Sequence, residues 1–85
     1  MSRHEIPAKD QNHQVFVGWD HPLMTFFVQV YDRRKAGTDD ELIFWKGTKP
    51  REFYEVEHVG RVVGRYAELT ANMGSQLYSD KDKGR

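Results

Sequence analysis

The chain has 85 residues, no cysteine and a formal net charge of zero, with 13 Lys+Arg against 13 Asp+Glu. That rules out more than one small domain, disulfide or thiolate chemistry, and the broad positive field of a dedicated DNA-binding or polybasic membrane-binding domain. No stretch approaches the ~20 apolar residues of a spanning helix, and the opening MSRHEIPAKDQN lacks the apolar centre of a signal peptide, so no membrane partner and a cytoplasmic location are the expectation.

Residues 1–12 carry little to bury beyond Met1 and Ile6 and read as a flexible N-terminal tail. Residues 14–19, QVFVGW, alternate with period two and predict a strand with Val15, Val17 and Trp19 on one face and Phe16 on the other. DHPLM is turn chemistry, because Pro22 lacks an N–H and pushes His21 toward an extended conformation. A second strand follows over 25–31, TFFVQVY, rich in β-branched and aromatic residues. It sets Phe26, Val28 and Val30 against Phe27, Gln29 and Tyr31. The charged DRRKAGTDD is a long hairpin loop with Gly37 at a left-handed position. A third strand over 41–46 places Ile43 and Trp45 on one face, Leu42, Phe44 and Lys46 on the other.

From residue 55 the period changes to 3.6, with Val56, Val59, Val63 and Tyr66 in one stripe widened by Val62, Leu69 and Met73. This predicts one principal helix over 55–73. A fourth strand over 53–59 ahead of a shorter helix, and a second short helix through Leu77, both remain open. Residues 79–85 read as a flexible C-terminal tail, which leaves 13–78 as the single domain. The fold class expected is α+β, a three-stranded antiparallel meander with the helix packed on one face.

That arrangement leaves a second face. If the helix covers Val15, Val17, Trp19, Phe26, Val28, Val30, Ile43 and Trp45, then Phe16, Phe27, Tyr31, Leu42 and Phe44 form an uncovered apolar patch of several hundred Å². Cover could come from a second helix or the N-terminal segment folded back, from a second copy of the chain, or from another protein. Those five residues are therefore the candidate partner-binding face, with Arg33, Arg34 and Lys46 at its rim. Single-stranded nucleic acid is the alternative occupant, its bases stacking on the same rings. Asp32, Asp39, Asp40 and Glu41 offset the basic run in that loop, however, and the Gly–aromatic signature of RNA-recognition motifs is missing.

Nothing in the motif set supports catalysis. There is no G-x-S-x-G turn, and the serines sit in or near the terminal segments. Asp20–His21 and Glu57–His58 could join as zinc ligands only if the fold brought them together, and their spacing matches no zinc motif. A non-enzymatic interaction module without metal or cofactor is the expectation. The stretches VGWDHPLMTFFVQVYD and IFWKGTKP, followed by a helix, resemble the layout of short uncharacterised bacterial proteins over Val17 to Val63. The resemblance implies the order of strands then helix and brings no activity or partner with it.

Overall fold

The computed structural model describes residues 2–84; Met1 and Arg85, the ends of the two predicted tails, lie outside the described residues. Alternation produces the central pair as expected. β2 (His13–Asp20) and β3 (Thr25–Asp32) pair antiparallel, with Val15 opposite Val30, Val17 opposite Val28 and Trp19 opposite Phe26. Those six side chains are almost wholly buried on one face of the sheet. Phe26 meets Trp19 edge to face at 4.9 Å between ring centroids.

The sheet has four strands, not three, in the order β1-β2-β3-β4. The extra strand, β1 (His4–Ile6), lies inside the segment predicted as a flexible tail and pairs antiparallel with β2. Ile6 buries its side chain beside Val15. Beyond Pro7 the chain crosses to the helical layer, where Ala8 bridges Ala67 and the Lys9 amide donates to the Tyr66 carbonyl at 2.8 Å.

The single predicted helix is two. α1 (Val56–Val63) buries Val56, Val59 and Val63, and α2 (Ala71–Lys83) buries Leu77 and Asp80. The stripe holds up to Val63 and then breaks. Gly64, a poor helix former, closes α1, its carbonyl is taken by the Lys9 ammonium at 2.6 Å, and a turn over residues 64–66 brings Ala67 to Ala8. Thr70 then restarts the helix by accepting a hydrogen bond from the Met73 amide. The predicted C-terminal tail is thus helical to Lys83, and the alternative strand over 53–59 does not form. Both helices lie on the Val15–Val30 face, α1 over β3 and α2 over β2. Among the described residues no helix is long and apolar enough to cross a membrane.

The third predicted strand is β4 (Leu42–Lys46), and its phase differs from expectation. Phe44 lies opposite Val30, Lys46 opposite Val28 and Trp45 opposite Gln29. Phe44 and Lys46 therefore belong to the helix-covered face, and Trp45 to the open one. Alternation fixes which residues of a strand share a face but not which face that is. A β-bulge beside Val30 and Tyr31 then sets Leu42 across from Tyr31 on the open side.

One pair fastens the N-terminal strand to the C-terminal helix. His4 Nε2 lies 2.6 Å from a carboxylate oxygen of Asp80, which is buried and also accepts from the Gln76 amide at 2.8 Å. Burial pushes the Asp80 carboxyl up, but hydrogen bonds from His4, Gln76 and Ser2 and the His4 charge outweigh it and hold the group below its ordinary value of 3.8. A carboxyl lowered in this way stabilises the fold fully above its unfolded pKa and loses that contribution as pH falls through the folded one. His4→Ala is expected to cost about 1.5–3 kcal/mol at pH 7. The gap from the parent chain should close only once the pH falls below the lowered folded value, where Asp80 is protonated in both. Urea melts at pH 7 and at strongly acidic pH check this, and a gap unchanged by acid would refute the assignment.

Candidate interaction edge

The open face is built from the side chains of β2 to β4 that point away from the helices, but most of it is covered by the chain itself. Phe27 is 2% exposed. It lies flat because β2 offers Gly18 at the paired position, where a Cβ would sit 2.6 Å from the ring. Phe16 packs edge to face on Tyr31 at 5.8 Å, and the Arg3 guanidinium stacks over it at 3.7 Å from the ring centroid. Arg3 also donates to the Gln29 side chain at 3.1 Å. The folded-back N-terminal segment is therefore part of the cover that the apolar arithmetic required.

The five residues assigned to a partner-binding face thus separate. Phe16, Tyr31 and Leu42 share the open side; Phe27 is there but enclosed; Phe44 is on the other side, with its ring 5.2 Å from Tyr66. Of the rim residues, Arg33 pairs with Glu5 at 3.1 Å and Arg34 with Asp32 at 3.1 Å. The Arg34 hydrogen bond, working against partial burial, holds the Asp32 carboxyl below its usual value. Lys46 is exposed at the end of β4 beside Val28.

What is left in solvent is a line along β4. Leu42, Ile43 and Trp45 are 39%, 38% and 48% exposed, and β4 is the terminal strand of the sheet. Hydrogen-bond direction shows which backbone groups it presents. Asp32 donates to the Glu41 carbonyl on the β4 side, whereas Arg33 donates to the Asn12 carbonyl on the β2 side. In an antiparallel sheet this direction alternates residue by residue. Val30 and Val28 therefore bond to Phe44 and Lys46, and the N–H and C=O of Trp45 point outward. Sequence reasoning missed Trp45 and Ile43 because it put both under the helix. The usable signal was position: the last strand of a meander before a helix is commonly an edge.

Other groups do not make a competing site. His21 accepts the Trp19 indole N–H at 3.3 Å, and His58 packs against Phe53. Among the described residues, no three His, Cys, Asp or Glu gather closely enough to hold a metal ion. The dent between Arg3, Asp20, Phe27, Gln29 and Trp45 encloses about 30 Å³, room for one water and far below a small-molecule pocket.

The fold and this edge define a two-layer α+β domain with both helices on one side of a four-stranded antiparallel sheet and an apolar strand at its margin. Neither protein-family models, curated proteins nor solved structures give a match to this chain.

Proposed function

We propose that the chain is a cytoplasmic, non-enzymatic protein-interaction module whose contact surface is the β4 edge, with Trp45 and Leu42 as apolar anchors. The observation that carries this reading is three large apolar side chains exposed together on a strand with an unpaired outer edge. Natural sheets usually blunt such edges with charge, proline or cover, and β4 has only Lys46 at its end. Pairing with another strand would satisfy the outward backbone groups of Trp45 and cover one flank of its ring in the same step.

Single-strand nucleic-acid binding is the weaker reading. Phe27 is enclosed, Phe44 is on the far face and Arg3 occupies the face of Phe16, so few rings remain for bases to stack on.

A photoreactive side chain at the exposed Asp40 position tests the proposal in the cell that makes the protein, with the same group at exposed Ser75 on α2 as control. The expected outcome is discrete adducts from the Asp40 position that vanish in a Leu42→Glu, Trp45→Glu background. Adducts that are the same from both positions, or indifferent to the double substitution, would count against it.

A further inference from the structure

We infer that the occupant of this edge is a second copy of the chain, its β4 laid antiparallel against the first about a two-fold axis at Phe44. The inference rests on the proposed use of the β4 edge and adds the identity of the partner.

Charge order along the strand carries it. Asp39, Asp40 and Glu41 lead into β4, and Lys46, Lys49 and Arg51 end or follow it. Asp39, Asp40, Lys46, Lys49 and Arg51 are exposed, and among the described residues none of the five is in an ion pair. Elsewhere on the same sheet the chain does pair its charges, Arg33 with Glu5 and Arg34 with Asp32. A strand acidic at one end and basic at the other is complementary to itself only when turned end for end. Antiparallel two-fold pairing does that, and it satisfies both ends with a single operation.

A centre at Phe44 sets Ile43 of each copy opposite the other's Trp45, while the bulge leaves Leu42 and Lys46 on opposite faces at the ends of the seam. The outward backbone groups of Trp45 then meet a partner. Asp39 and Asp40 fall near the second copy's Lys49. The axis stands perpendicular to the sheet, so the two open faces join into one eight-stranded surface with a Trp45 on each side of the seam. The opposite margin does not offer the same chance, because β1 has three residues and ends at Pro7. A parallel approach would place acid against acid. An unrelated peptide would give no reason for unpaired charges of opposite sign at the two ends.

A five-residue edge with its flanks falls at the small end of specific interfaces, so a dissociation constant of about 10–100 µM is expected. The test is sedimentation of the purified full chain from about 1 µM to 1 mM, with two charge-reversed variants. One carries Asp39→Lys and Asp40→Lys, the other Lys46→Glu and Lys49→Glu. All four positions are exposed, so both variants should retain the fold, as circular dichroism will show. The parent chain should shift with concentration from 10.0 kDa toward twice that mass. Each variant alone, now presenting like charges at both ends of the seam, should dimerise at least ~10-fold more weakly. An equimolar mixture of the two should recover a dimer within ~3-fold of the parent, because acid meets base again at both ends.

A parent chain monomeric throughout overturns the inference. So does a dimer that neither charge reversal weakens, since its interface then lies elsewhere. In the first case, adducts of a different mass from the Asp40 position would leave the interaction edge standing and remove only the second copy as its partner. Loss of both results would remove the edge as well.

Discussion

Gly47→Ala is expected to destabilise the protein by about 2–5 kcal/mol, and Gly47→Val to leave it unfolded at room temperature. Gly47 has φ +87°, and a Cβ there would collide with the Phe26 carbonyl and approach Phe27 Cα within 2.6 Å. The left-handed backbone alone costs an alanine about 1–2 kcal/mol. The collision adds about 1–3 kcal/mol, because relief requires moving a β3 backbone already fixed on both sides. The Phe26 amide donates to the Phe53 carbonyl at 2.8 Å, and Phe27 sits opposite Gly18. A valine adds a branched side chain to the same collision. Against a total of ~0.05–0.15 kcal/mol per residue, such a loss is a large share of what holds a small domain together. Gly37→Ala is the control. Its φ is +82°, but nothing lies within 4 Å of the added carbon, so it should show the backbone penalty alone. Urea midpoints separate the two, and equal losses would mean that the turn after β4 does not press on β3.

The same turn shows how far the sequence could be read. The third strand was expected to end at residue 46, but the press of Gly47 on β3 was not legible, because it depends on the register of β3 against β4. Local periodicity sufficed wherever neighbours along the chain determine the outcome. Val15, Val17 and Trp19 opposite Val30, Val28 and Phe26 follow from alternation and one short turn, and Val56, Val59 and Val63 from helical spacing. It failed where a distant residue decides. β1 offers only His4, Glu5 and Ile6, and it is held by an aspartate 76 positions away. The break at Gly64 depends on Lys9, and the burial of Phe27 on the absence of a side chain at Gly18. For the candidate site, the count of apolar side chains demanded cover for the second face, and Arg3 of the N-terminal segment supplies part of it, whereas the second helix joins the first on the other face. Phe16, Tyr31 and Leu42 were placed on the right side. Trp45 was not, since nothing within LIFWK says which of its two faces meets the helices.

Trp19→Ala should be as damaging as the Gly47 substitutions, at about 3–5 kcal/mol, for a different reason. Trp19 is wholly buried, and its ring joins three parts of the chain. It lies 4.9 Å from Phe26 on β3 and 6.1 Å from Tyr54 in the loop before α1, and its indole N–H donates to His21 in the β2–β3 turn. Removing it opens a cavity where sheet, turn and loop meet, and the rigid Val17–Val28 neighbourhood beside it cannot collapse to fill that space. Trp19→Phe keeps an aromatic partner for Phe26 and should cost under about 2 kcal/mol, mostly from lost volume and the lost His21 bond. That milder variant also isolates the interaction edge for observation. The chain has two tryptophans, so Trp19→Phe leaves Trp45, 48% exposed, as the sole tryptophan, to be excited selectively over the tyrosines. In dilute solution its fluorescence should be red-shifted and readily quenched by acrylamide. As concentration rises through the range expected for β4 pairing, the emission should shift to the blue and quenching should fall. A Trp45 already shielded in the most dilute sample would contradict the exposure from which the interaction edge is argued. A Trp45 equally accessible at every concentration would show that whatever the chain binds, it does not bind itself along β4.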